Sequence, residues 1–326
     1  MNRIALYKNN EEGWLTVLAC LISGTLFLLW AASFSNAQGM THRSFLSPEK
    51  AVTSLVTAVS ANDREEMLAI LGPGSKELIF SGDDVADRTG REKFLKAYER
   101  MNMLQKVSAD KVTLCIGKDN WPLPIPIVKA GVKKWVFDTE EGKQEILNRR
   151  IGRNELHVMD VLHAYTEAQH EYASSDCGGG GVVEFAQNLI STQGKRDGLY
   201  WEVKEGEKES PLGPFVARAA KEGYADANLS PFHGYYFKIL KGQGKHAQGG
   251  AYDYVVKGKM LLGFALVASP AEYGNSGVMT FIVNQEGTIH EKDLGVNTTR
   301  TAEKMKIFNP DKTWKKVKET LSEQDK

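Results

Sequence analysis

Cysteine is scarce, with only Cys20, Cys115 and Cys177 in 326 residues. Three thiols so far apart do not make a disulfide-dense scaffold, nor a four-ligand zinc set. Cys115 and Cys177 read as buried free thiols, with pairing left open in an oxidising compartment. An excess of charge of one sign is also missing. Lys plus Arg and Asp plus Glu are both 41, so the net charge is zero. Neither the basic stripe that grips nucleic acid nor a polybasic membrane patch is expected. Catalytic signatures are lacking too. Gly274-Asn275-Ser276-Gly277 lacks the second spacer of a nucleophile elbow. Gly242-Gln243-Gly244 opens no helix, and no phosphate-binding loop occurs. Glu167-Ala168-Gln169-His170 is a single E-x-x-H, with His163 one turn earlier. A di-iron bundle needs two such motifs and two further Glu, so this reads as a polar helix face. Asp176 and Glu184 flank the glycines Gly178 to Gly181, but calcium takes six or more oxygens. No catalytic residue, metal or cofactor is therefore assigned.

What is present begins at the N-terminus. Arg3 and Lys8 precede an uncharged, mostly apolar run from Leu15 to Ala32. Ser35 and Ala37 then stand at the minus-three and minus-one positions before Gln38. This is the pattern of a secretory signal, and the run is also close to the ~20 residues that cross a bilayer. Residues 1–37 are expected to be a cleaved signal peptide or an inner-membrane anchor. Either way the remaining chain is periplasmic or envelope-associated and touches membrane only through this segment.

The chain after it has an ordinary globular composition, 42% hydrophobic and 25% charged, and is long enough to bury a core without staples. Ser47-Pro48-Glu49 is a helix start, and Ala51, Val52, Leu55, Val56 and Val59 continue a helical stripe. A second short helix carries Met67, Leu68, Ile70 and Leu71, and a third runs from about Thr89 to Glu99. Val112–Ile116 reads as a strand. Trp121-Pro122-Leu123-Pro124-Ile125-Pro126 reads as an edge or extended segment, because its prolines cannot donate ladder bonds. Residues 127–137 read as a hairpin. A long helix is expected from about Asn154 to Ala173, and short ones over Val183–Leu189 and Phe215–Lys221. Strands dominate from Tyr235, and the tail from Lys315 is charged.

Several runs together carry a likeness: Trp121 to Pro126, Arg149-Arg150-Ile151-Gly152-Arg153-Asn154-Glu155, Asp197 to Trp201, Pro231-Phe232-His233-Gly234-Tyr235-Tyr236-Phe237, and Tyr273 to Asn284. They resemble a bacterial family known only as domain of unknown function 2950, over about Phe45 to Trp314. The resemblance implies export but carries over no catalytic residue. Two partial likenesses concern fold. The first segment, with Trp135 to Asp138, is similar to NTF2-like cones. The helix from Asn154, the Gly-rich loop and the strands from Gly277 are similar to the globular part of type IV and type II secretion pilins. They imply an α+β architecture of two small domains. Residues 45–150 would form an NTF2-like unit, residues 151–314 a pilin-like long helix packed on an antiparallel sheet, and residues 315–326 a charged tail.

Two functional readings follow. One is a non-catalytic scaffold or assembly protein with an envelope protein partner. The other is a module for a small anionic ligand, held in a cone pocket or inter-domain groove. Arg forks match carboxylates and phosphates, so Arg149, Arg150 and Arg153 are candidate ligand residues, with Trp121, Trp135 and Tyr200 as candidate walls. Lys195, Arg196 and Asp197 stand beside them as further candidates.

Overall fold

The computed structural model describes residues 42–175, 181, 183–204, 206–224 and 231–318. The expected signal or anchor, Cys20, Asp176, Cys177 and residues 319–326 of the tail lie outside the described residues.

Helix α1 (Pro48–Ser60) starts where Ser47 accepts the Lys50 N–H, with Pro48 in its first turn. Its stripe of Ala51, Val52, Leu55, Ala58 and Val59 is buried. Asp63 caps α2 (Arg64–Leu71) by accepting from Glu66 N–H at 2.9 Å. A single turn, α3 (Lys76–Ile79), precedes α4 (Asp84–Arg100). This last helix begins five residues before the expected Thr89 because Asp83 caps it, accepting from Ala86 N–H.

The chain then builds an antiparallel sheet from β1 (Asn102–Lys106), β2 (Lys111–Ile116), β3 (Trp121–Pro122), β4 (Ile127–Gly131) and β5 (Lys134–Phe137). Its order is β1-β2-β4-β5, and β3 pairs with β2. The Trp-Pro run is therefore a short flanking strand, as its prolines require. One face of this sheet, with Leu114, Ile116, Ile127 and Phe137, closes on α1 and α2 as a first hydrophobic core. Cys115 points to the other face as a buried free thiol.

Helix α5 (Thr139–Ser174) has 36 residues, a length of roughly 54 Å at 1.5 Å per residue. It starts fifteen residues before the expected Asn154 (154 − 139 = 15). Asp138 accepts from Glu141 N–H, and Glu140 and Glu141 sit against the positive helix end. The helix runs without a break through residues 150 and 151 and serves two cores: Ile146 packs on the first, and Val158, Leu162, Tyr165, Ala168 and Tyr172 on the second.

After it, β6 (Asn188–Ile190) and β7 (Gly198–Tyr200) form a parallel pair. The helix expected over Val183–Leu189 does not form. The Gln169 side chain takes both backbone groups of Ala186, at 2.9 Å each, and Phe185 bridges Met260. The backbone is satisfied from α5 instead of by its own turns. Helix α6 (Gly213–Glu222) follows and ends on Gly223 at φ 100°.

Strand β8 (Tyr235–Leu240) leads into two small ladders. These are β9 (Gly242–Gln243) with β10 (Tyr252–Asp253), and β11 (Val255–Val256) with β12 (Lys259–Met260). The main second sheet adds β13 (Ala265–Pro270), β14 (Met279–Asn284) and β15 (Ile289–Asp293), with α7 (Thr298–Lys304) before the edge strand β16 (Lys315–Lys316). Its order is β16-β15-β14-β13-β8, antiparallel throughout. The start of the charged tail is thus ordered, with Lys315 opposite Glu291. Every residue of β13 is buried. Phe264, Phe281, Tyr235 and Tyr254 anchor the second core, each worth roughly 1.5–3 kcal/mol of burial for an aromatic of this size. Helices with antiparallel sheets make the chain α+β. Among the described residues no helix is long and apolar enough to cross a membrane.

Candidate functional site

The polar residues in three of the runs singled out in the sequence meet at one place, where α5 passes from the first core to the second. The Arg150 guanidinium donates to the carbonyls of Glu77 (2.6 Å) and Leu78 (2.7 Å) and to the Asn275 side-chain oxygen (2.5 Å). Asn275 in turn donates to the Phe80 carbonyl and the Glu272 carboxylate, both at 2.8 Å. One turn along α5, Asn154 donates to the Ser276 carbonyl at 2.9 Å. The Glu155 carboxylate accepts from the N–H groups of Val278 and Met279 at 3.0 Å. Arg150, Asn154 and Glu155 thus bind α3 and the β13–β14 turn to one helix. Burial holds the Arg150 pKa below the usual arginine range, against the pull of the Asp87 carboxylate.

A second strand of the network runs through Asp83. It is 1% exposed and accepts from the Tyr224 hydroxyl and from Gly234 N–H, each at 2.9 Å. Two glycines let these elements approach. Gly234 has φ 77°, and a methyl there would lie 2.7 Å from Asn154 Nδ2 and 2.9 Å from Ser276 Cβ. A methyl on Gly277 would run into the Tyr235 ring, whose hydroxyl donates to the Met279 carbonyl.

At the rim of this junction two imidazoles meet at a tilt of 49°. The His157 and His233 ring centroids are 4.2 Å apart, and His233 Nε2 lies 2.9 Å from Glu222 Oε2. His233 sits in left-handed backbone, φ 49°. Burial pushes both imidazole pKa values below the ordinary range, and for His233 the neighbouring His157 pushes further in the same direction. Both rings are thus favoured neutral, able to accept a proton, with Glu222 positioned to stabilise the His233 cation. Among the described residues no group of three or more His, Cys, Asp or Glu is placed to hold a metal.

The six expected ligand residues do not converge. Arg149 lies over the Trp121 ring, 5.2 Å from its centroid, and pairs with Glu145. Those two are together, and both are exposed. Arg150 is turned inward to the carbonyls, while Arg153 is exposed one turn further on. Trp135 packs on the first core opposite Phe45, and Tyr200 packs on the second. A separate cleft of about 430 Å³ is lined by Tyr172, Glu184, Asn188, Lys195, Arg196 and Lys241. There Arg196 stacks on Trp201 at 5.3 Å, and Lys241 donates to Gln187. Of the junction residues, Asn154, Glu155, His233 and Asn275 stand inside the quoted runs. Asp83, His157, Glu222 and Tyr224 stand outside them, and only the helix-capping position of Asp83 was open to sequence reading.

No curated protein and no solved structure matches the chain, so neither the NTF2-like nor the pilin-like likeness gains support from a known fold. The family model described as "Protein of unknown function (DUF2950)" matches residues 42–317, a span that takes in both cores and every element that meets at the junction. By that match the chain belongs to this family.

Proposed function

We propose that the protein is exported to the cell envelope and acts there as a non-catalytic scaffold or assembly factor for a protein partner. The observation that carries this reading is the use made of the signature runs. Arg150, Asn154, Glu155, Gly234, Tyr235 and Asn275 are all engaged with other parts of the same chain. Groups hydrogen-bonded inside a fold hold its shape, and the property they preserve is a surface. The N-terminal run from Leu15 to Ala32 with Ser35 and Ala37 supports export.

The test is the full chain with its own N-terminus and a C-terminal tag, produced in a Gram-negative host and fractionated. The expected result is tagged protein in the envelope fraction, cross-linking in place to a defined protein. Recovery from the cytoplasm refutes the export half. Recovery as a monomer that retains a small molecule refutes the scaffold half.

The cleft at Lys195, Arg196 and Lys241 supports the second reading, a site for a small anion, since its three cationic side chains outnumber the carboxylates of Glu184 and Asp197 that also line it. Titration with inorganic phosphate and citrate reads this directly. Heat of binding that disappears in Lys195→Glu/Arg196→Glu supports the anion site, and no heat from the unaltered chain removes it.

A further inference from the structure

We infer that β1 is a pairing edge, and that a second copy of this chain is its occupant, joined antiparallel so that the first sheets of two copies become one. This goes beyond the reading above and does not depend on it.

The backbone carries the argument first. Gly117 N–H donates to the Met101 carbonyl and Val107 N–H to the Lys111 carbonyl, 2.9 Å each. In an antiparallel ladder the hydrogen-bonded positions alternate, so Met101, Met103, Gln105 and Val107 face β2. The N–H and C=O groups of Asn102, Leu104 and Lys106 therefore point away from the sheet, and among the described residues β1 pairs with β2 alone. Such a row is a template for another strand.

The other outer edges of the two five-stranded sheets, at β5, β16 and β8, are covered or guarded. Phe45 exchanges two backbone bonds with Trp135 on β5. β16 is two residues long, both lysine. On β8, Lys238 reaches the carbonyls of Ala302 and Glu303 at the end of α7, and Lys241 N–H donates to Lys306. By contrast β1 is five residues with one charge, at Lys106.

Side chains then select the occupant. With the two-fold axis at Leu104, that residue meets its own copy in a hydrogen-bonded pair. Asn102 then stands opposite Lys106 of the second copy, Met103 opposite its Gln105, and Met101 opposite its Val107. No like charges face each other, and Met101 (38% exposed), Met103 (45%) and Val107 (57%) gain cover. Moving the axis to Lys106 sets two lysines face to face, which disfavours that register.

Helix α4 supplies an independent observation. None of its 17 residues is buried, although Phe94, Leu95 and Tyr98 lean on the first core. A two-fold perpendicular to the sheet brings the second copy's α4 to the same face, where each helix covers the open flank of the other. The surface is self-complementary, as a two-fold interface requires.

The experiment is sedimentation equilibrium on the full chain, with amide hydrogen exchange across residues 101–107. The unaltered chain is expected to sediment at twice its own mass, with Asn102, Leu104 and Lys106 amides protected and losing that protection on dilution. Lys106→Pro removes only an outward N–H and a solvated side chain. It is expected to halve the mass while leaving the melting temperature of the monomer in place, which shows that the variant still folds. Val132→Glu, a change at an exposed site away from this edge, is expected to leave the dimer intact. A monomer at the highest soluble concentration overturns the inference. So does a dimer that survives Lys106→Pro with the β1 amides unprotected.

Discussion

The two sheets are built from the same kind of antiparallel ladder and differ in how much of the second face they bury. In the first, β1 is exposed at four of five positions, and β2 is fully buried only from Leu114 to Ile116. In the second, all of β13 and five of six positions in β14 are buried. A sheet covered on both faces gains stability from every residue of its central strands. A sheet whose second face is covered only in part, as at Cys115, gains it mainly from alternate residues and leaves the rest open to a partner.

The sharpest test of that difference is a pair of neighbouring truncations in each sheet. Phe281→Ala and Ile282→Ala face opposite sides of β14 and are both buried, so each is expected to cost about 2–5 kcal/mol. On β2, Leu114→Ala is expected to cost as much, while Thr113→Ala next to it stays within about 0.5 kcal/mol. Urea unfolding midpoints read all four. Equal losses at Thr113 and Leu114 would show that the cover over Cys115 extends along the whole second face.

A smaller effect probes how the two cores are joined. Arg150→Met removes a guanidinium that serves two carbonyls and Asn275. The expected loss is about 2–3 kcal/mol, since charge-assisted hydrogen bonds are lost and buried acceptors are stranded. The unfolding curve is also expected to separate into two transitions, because the cores lose a shared anchor. Circular dichroism and tryptophan fluorescence followed together check this. Coincident transitions would show that α5 alone couples the cores.

The smallest effect is a dependence on pH. Burial depresses the His157 and His233 pKa values in the folded chain, so below the ordinary value of about 6.5 the unfolded chain binds more protons. Stability from these groups is complete above that value. It declines as pH falls through it toward the folded pKa values. Around the pair, Arg153 on α5 and Lys93 on α4 add to the effect of burial, while Asp160 on α5, Glu222 and Asp83 oppose it. His233→Asn keeps a residue that tolerates positive φ and is expected to flatten the decline. An unchanged slope in urea midpoints on either side of pH 6.5 would remove the pair as its source.

Much of the architecture was legible in local chemistry. Ser47-Pro48 announced α1, the apolar stripe located its buried face, and the prolines of 121–126 announced a strand at an edge. Misreadings arose where distant residues decide. The residues around Ala186 carry a helical pattern but give their backbone to Gln169, seventeen positions earlier. The first turns of α5 are polar, so its apolar stripe points to a start near Asn154, although the helix is capped at Asp138. For the site, the arginine cluster was visible but its orientation was not. No spacing rule shows that Arg150 turns to Glu77 and Leu78, more than seventy residues away. Residues from three of the quoted runs converge at the junction, where they hydrogen-bond across packed elements.

The length of α5 also imposes an order in time. Residues of the first core lie between Phe45 and Ile146 and can close as soon as those positions have emerged. The other half of the helix waits, since the Tyr165 hydroxyl donates to the Ala265 carbonyl, 100 positions later. At about 5–20 residues per second of synthesis, Leu162, Tyr165 and Tyr172 stand without their sheet for roughly 5–20 seconds. During that interval the stripe of α5 from Val158 to Tyr172 has no sheet to close on, so the second half of the helix is the last part of the core to find its cover.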